Sequence, residues 1–427
     1  MDQLSSGTDA GTVKGEHGLY CIRFYLICHS MGDMVFEMDV VLDAPLAADC
    51  LSEAAYWLYF ASPNIARFYI DPVERRRVHV WSLAEDEESE IDRKVRMTLA
   101  RFAQSTNVID AVPRRVGIES SGEDVKGADP AGAADAGLVR RLGLADTEIG
   151  ELMTALARGF DDEFRRLGTS MGACEREYST LLPIEFFEKC HYFDAFPQNI
   201  MYPTMMQTDV DAAEKFSDYT VNHRGRPPRD YSGFQERTHV LAPAACFHVY
   251  MANEEKTLEG NTLVTTRGTC YRYEGRNAST LERLWDFQMR EIVYLGSRQF
   301  VRDCRDETQE RVLRLVEQWG LSGVVEAGHD PFFLRGERPE CELDPDAKFE
   351  LRLDLPYRDA DSACASFNIS GTFFGSTSNI MLSDGGTAWT GCTAFGLERW
   401  AWAAVMQHGT NPARWPHGLR AVLEGAR

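Results

Sequence analysis

Residues 269–296 read TCYRYEGRNASTLERLWDFQMREIVYLG. The two ends, TCYRYEG and WDFQMREIVYLG, are rich in aromatic and β-branched residues, and GRNASTLERL between them carries Gly, Asn and Ser. That pattern predicts two antiparallel strands joined by an exposed loop. Immediately downstream, SRQFVRDCRDETQERVLRLVEQWGL places Phe300, Val301, Cys304, Val312, Leu315, Val316 and Trp319 among charged residues, the spacing of a long amphipathic helix. Towards the C-terminus KFELRLDLP (348–356) reads as a further strand and GLERWAWAAVMQHG (396–409) as a helix. Strands and helices follow one another in no regular β-α-β order, which predicts an α+β fold, an antiparallel sheet flanked by helices.

Working outward, the main domain is assigned to residues 138–427, with LVRRLGLADTEIGELMTALARGFDDEFRRLG (138–168) at its start read as one or two helices. The preceding stretch 117–137, GIESSGEDVKGADPAGAADAG, is poor in apolar residues and reads as a flexible linker. Residues 1–116 form a separate small α/β module, of which 1–16 are expected to be disordered. Within it, LYCIRFYLICHS (19–30) and MVFEMDVVL (34–42) suggest a hairpin, AADCLSEAAYWLYFA (47–61) a helix, RRRVHVWSLA (75–84) a strand and 86–104 a second helix.

Composition narrows the possibilities. At 427 residues the chain is long enough for two domains, and 44% hydrophobic with 26% charged residues is ordinary for a globular protein. No apolar run of membrane-spanning length occurs and the N-terminus is polar, so the expectation is a cytoplasmic protein with no membrane association. Eleven cysteines, an odd number without dense spacing, are expected to be reduced. A formal net charge of −21 weighs against nonspecific nucleic-acid binding. There is no GxSxG elbow, Walker A loop or dinucleotide-binding glycine pattern.

Tyr271-Arg272-Tyr273-Glu274, followed by a loop and a strand, resembles motif 2 of class II aminoacyl-tRNA synthetases, and GLERW with Arg399 resembles motif 3. More narrowly, AACFHVY (244–250), RLWDFQMRE (283–291), HDPFFL (329–334), SFN (366–368) and CTAFGLER (392–399) stand in the same order as in amino acid:[carrier protein] ligases, truncated homologues of the seryl-tRNA synthetases. The resemblance runs from about residue 178 to the C-terminus and leaves residues 1–137 outside it.

The resemblance implies a class II fold, a homodimer and ATP-driven activation of a small amino acid as its adenylate. Transfer to the phosphopantetheine thiol of a carrier protein would follow. Arg272 would fork the α-phosphate and the substrate carboxylate, a task suited to a planar guanidinium. Glu274 would accept from the adenine amino group, Arg283 would bind the γ-phosphate, Phe287 would stack on adenine, and Arg399 would hold the nucleotide from the other side. Mg²⁺ is implied with ATP, with Glu350 and Asp361 as candidate carboxylates. Cys246, Glu291 and Cys392 are implied as zinc ligands. Two thiolates and one carboxylate leave a fourth position open, as in catalytic rather than structural sites. The substrate amino group would occupy that position, with Asp330 as a second partner and Asn368 in the amino-acid pocket.

Taken singly, a buried Cys is usually core packing and Glu291 a strand-face ion pair, so the ligand set stands on its segment context. One departure from the ligase pattern is plain: the run after SFN, Ile369-Ser370-Gly371-Thr372-Phe373-Phe374-Gly375, lacks the His and Asp found there in the ligases. The chain also lacks a heptad arm of the kind seryl-tRNA synthetases use on tRNA, which favours an acceptor other than tRNA. Seryl-type tRNA aminoacylation and a catalytically silent synthetase paralogue are the alternatives. Arg298, Arg302, Arg305, Arg311 and Arg314 are interleaved with acids and read as a solvated helix face, with a docking patch for an acidic carrier as the other reading.

Overall fold

Alternation along one strand, Asp286–Gly296, sets the layers of the larger unit. Ile292 and Tyr294 enter one core cluster, whereas Val293 and Leu295, on the opposite face, enter a second. Both faces are therefore covered. The first cluster packs helices Glu151–Ser170, Arg298–Gln318, Leu397–His408 and His417–Gly425 under the sheet, with Phe164 stacked on Phe395 at 3.9 Å and Trp400 against Phe160, Phe164 and Trp319. The second gathers Cys246, Phe247 and Tyr250 of helix Cys246–Ala252 with Cys392 and Phe187.

The structure is a computed structural model describing residues 36–83, 88–103, 114–117, 127–229, 231–278, 280–328, 347–358 and 360–425. The expectations for residues 1–16, the strand at 19–30 and Asp330 of HDPFFL lie outside the described residues. The chain forms two compact units, Met1–Thr106 and Asn107–Arg427. In the first, Phe36–Val41 and Ile65–Ile70 flank Arg77–Ser82 in a three-stranded antiparallel sheet, with helices Leu51–Leu58 and Glu88–Leu99.

The second unit carries an eight-stranded sheet in the order Arg114–Gly117, Ser322–Ala327, Lys348–Leu355, Ala360–Gly371, Trp389–Gly396, Asp286–Gly296, Thr262–Tyr271 and Cys174–Glu177. Every neighbouring pair is antiparallel except the last, Cys174–Glu177 against Thr262–Tyr271. Helices flank it, and the α+β class II synthetase-like layout expected from the sequence is what the chain adopts.

Three readings of the sequence differ from the structure. The units divide between Thr106 and Asn107, and Arg114–Gly117 joins the large sheet, so the boundary does not fall at 116/117. Within the stretch read as a linker, Pro130–Asp135 is a helix. Asp129 caps its Gly132 amide, Pro130 occupies its first turn and Ala133 is fully buried, so capping chemistry outweighs the low-complexity composition. The start of 138–168 is a hairpin, Val139–Arg141 with Thr147–Ile149, before the helix Glu151–Ser170 begins.

A buried ion pair ties that helix to the sheet. Arg290 donates to both carboxylate oxygens of Asp161 at 2.7 and 3.0 Å and to Glu175 at 3.2 Å. Removing one member of a buried pair strands the other charge. Asp161→Ala is therefore expected to lower the unfolding free energy by about 3–5 kcal/mol, read from urea midpoints at unchanged slope.

Candidate active site

Helix Cys246–Ala252 begins directly above the central strands, and its first amides aim at the sheet. The Ala245 and Cys246 N–H groups donate to Glu291 Oε1 at 2.6 and 3.2 Å, which fixes the carboxylate at a helix N-terminus. Cys392 lies on the neighbouring strand, in register with Val293 and with Asn368. The ligand atoms of Cys246, Glu291 and Cys392 all lie within 4.8 Å of one another, and all three residues are buried. Glu291 is fully buried, and its Oε2 has no hydrogen-bond partner among the described residues. An orphaned carboxylate oxygen in the core is costly, and two thiols beside it form a donor set that could hold a soft divalent cation. Burial pushes the Glu291 carboxyl above its ordinary range. A hydrogen bond with Cys392, with burial adding to it, pushes the Cys246 thiol well up. Both shifts favour the protonated forms relative to water, and a bound cation would have to displace those protons. Asn368 Nδ2 reaches Cys392 Sγ at 3.5 Å, the Cys392 carbonyl at 3.3 Å and Ser366 Oγ at 3.0 Å, so the expected substrate residue sits against this group.

The five residues expected at ATP also converge. Strand Thr262–Tyr271 ends before Arg272, so the strand expected over TCYRYEG does not extend through Arg272 to Glu274. The chain instead turns through Gly275–Asn277, with Gly275 in the left-handed region at φ 55°. The Arg272 guanidinium lies 5.4 Å from the centre of the half-buried Phe287 ring, and its Nε donates to the Pro243 carbonyl at 3.1 Å. Arg283 pairs with the buried Glu274 at 3.3 Å. Arg399 donates to the carbonyls of Glu282 at 2.7 Å and Ala363 at 2.9 Å. Burial lowers the Arg399 pKa, Arg283 and Arg272 lower it further, and Glu274 opposes them. Mutually repelling guanidiniums around one loop suit a polyanionic ligand.

The two carboxylates suggested for Mg²⁺ are engaged elsewhere. Arg352 binds Asp361 at 2.8 Å and Glu350 at 3.1 Å, and approaches Glu326 at 3.3 Å. Of the helix arginines, Arg305 is buried over Phe349 at 5.0 Å rather than solvated.

Two carboxylates escaped the reading of the sequence. Glu282 is buried and accepts from Tyr357 at 2.7 Å and Thr280 at 3.1 Å, and it pairs with Arg358. Glu398 accepts the Gln288 amide with both oxygens at 2.9 and 3.1 Å. Its place beside Arg399 in GLER was the available signal. Burial pushes the Glu398 carboxyl up to about 7, against hydrogen bonds that pull it down. A carboxyl raised on folding favours the folded state at low pH, and that contribution is lost as pH climbs through the folded value. From this group alone, stability should fall by up to ~3 kcal/mol between the ordinary carboxylate range and about pH 7. Denaturant titrations of wild type and Glu398→Gln at pH 5 and pH 8 should show a smaller drop for the variant.

The fold is that of a class II aminoacyl-tRNA synthetase-like protein. The chain is 29% identical over 286 residues to the type-2 serine–tRNA ligase of Methanothermobacter thermautotrophicus, covering 65% of this chain and 56% of that protein. It is 35% identical over 188 residues to amino acid–[acyl-carrier-protein] ligase 1 of Bradyrhizobium diazoefficiens, covering 43% of this chain and 57% of that one. The chain thus spans little more than half the length of these curated relatives. Among solved structures it resembles M. kandleri SerRS in complex with A. aeolicus tRNASec, with a TM-score of 0.67 and 22% identity over 92% of this chain and 78% of that one. It also resembles the cytoplasmic serine–tRNA ligase of Naegleria fowleri with AMP, TM-score 0.56 at 12% identity, covering 80% of each chain. No family model matches the chain. Among the described residues no helix is long and apolar enough to cross a membrane.

Proposed function

We propose that this protein is a zinc-dependent ligase that activates a small amino acid with ATP and passes it to the phosphopantetheine thiol of a carrier protein. The observation that carries the reading is the convergence of Cys246, Glu291 and Cys392, with Asn368 against them, on the sheet whose strand Asp286–Gly296 also carries Phe287, beside Arg272. When bound, zinc supplies an electrophilic anchor for an uncharged amino group. The substrate carboxylate oxygen attacks the α-phosphorus of ATP, pyrophosphate leaves, and an aminoacyl-adenylate results. Arg272 and Arg399 offset the charge that develops on the phosphates, and Phe287 offers a stacking face for adenine. ATP enters with its Mg²⁺. Glu274 and Arg283, paired in this structure, would separate to meet the adenine amino group and the terminal phosphate. In the second half-reaction the carrier thiol attacks the adenylate carbonyl and AMP departs. Asp330 is proposed as a further partner of the amino group, and a homodimer as the working form.

A second reading, transfer to tRNA, is favoured by the type-2 serine–tRNA ligases among the relatives, one of which matches 65% of this chain. Amino-acid-dependent exchange of labelled pyrophosphate into ATP, run across the common amino acids, tests the activation step. Exchange with one small amino acid is expected, and none with any of them would overturn the reading in favour of a silent paralogue. Adding holo-carrier or tRNA to the same reaction then decides the acceptor, and aminoacyl-thioester formation is the expected result.

A further inference from the structure

We propose that Glu398 is a positioning residue that holds Phe287 and Arg399, the two sides of the nucleotide site, in register; the inference rests on the adenylation reading above. The strand Trp389–Gly396 ends at Gly396, which pairs with Met289, and the chain then turns into the helix Leu397–His408. Gln288 is therefore one step past the last backbone pair on that side, while on its other side it remains paired with Thr269. The Glu398 carboxylate takes the place of the missing strand, accepting the Gln288 N–H at 2.9 and 3.1 Å. A side chain thus extends the ladder by one rung.

The neighbours of the two bonded residues give that rung its consequence. Gln288 follows Phe287, whose ring faces the Arg272 guanidinium at 5.4 Å. Glu398 precedes Arg399, which grips the Glu282 and Ala363 carbonyls. The Gln288 side chain is also fixed, donating to Thr269 Oγ1 at 2.8 Å and accepting from Arg267 at 3.3 Å. An acid in the first turn of a helix is ordinarily explained by the helix dipole. Here it is buried and bonds to an amide of another element, so its loss would leave that amide unpaired and free the start of the strand. Misplacing a group by about an ångström costs far more in binding and rate than in stability.

The test uses the full chain carrying Glu398→Ala or Glu398→Gln. For Glu398→Ala, calorimetric ATP affinity should weaken about tenfold and amide exchange at 286–290 should accelerate. Metal content and the KM for the amino acid should stay within twofold. Glu398→Gln keeps one carbonyl oxygen for the amide and should bind ATP within about threefold of wild type. Unchanged exchange at 286–290, or Ala-variant ATP affinity within twofold of wild type, overturns the proposal. An equal loss of ATP, amino acid and metal also overturns it, by showing a merely structural role. A wild-type chain that binds no ATP brings down the adenylation reading itself, whereas a wild type that binds while Glu398→Ala binds equally well removes only this inference.

Discussion

Replacing Cys246 by serine is expected to strip the chain of bound zinc and reduce amino-acid-dependent pyrophosphate exchange by more than about a hundredfold. Of the three proposed ligands, Cys246 is the one whose replacement should disturb the fold least. It opens a short helix whose amides to Glu291 come from the backbone and survive the substitution. Serine keeps the volume and removes the soft sulfur, so one ligand of three changes while the packing around Phe247 and Tyr250 remains. The expected result is a folded, metal-poor and inactive protein. Metal analysis and exchange on the same preparation check it. A metal-free Cys246→Ser protein with full exchange would refute a role for the metal.

The second large effect is expected at Arg272. Lysine in its place retains a charge but loses the planar fork that can meet phosphate and carboxylate together. Exchange should fall by about 10²–10³-fold, with metal content unchanged, because the cluster of Cys246, Glu291 and Cys392 does not include this side chain. The guanidinium 5.4 Å from the Phe287 ring centre is removed as well, so ATP affinity and turnover should both decline. Steady-state exchange against ATP concentration, with metal determined in parallel, separates this outcome from a general loss of structure.

Residues with strong local patterns were legible. The aromatic and β-branched content of Asp286–Gly296 and the helical spacing of Arg298–Gln318 are visible in the sequence, and both elements form. The neighbouring strand is less legible, because its β-branched run TLVTT lies upstream of the Tyr271–Glu274 motif, and Gly275 with a positive φ closes the turn after it. Val139–Arg141 and Thr147–Ile149 read as helix because their apolar residues continue the spacing of the helix that follows. At the site, Cys246, Glu291 and Cys392 were found through the segments that hold them, since residues so far apart in the chain leave no local spacing signal. Glu398 and Glu282 stayed hidden for the opposite reason. Each looks like an ordinary exposed acid until tertiary structure buries it against a distant amide or hydroxyl.

X-ray absorption at the zinc edge of the wild-type protein tests the metal centre most directly. The account predicts bound zinc with two sulfur scatterers at about 2.3 Å and oxygen or nitrogen at about 2.0–2.2 Å, one of the lighter set altered when the cognate amino acid is added. Zinc that is not retained, or that shows only nitrogen and oxygen neighbours, would contradict it.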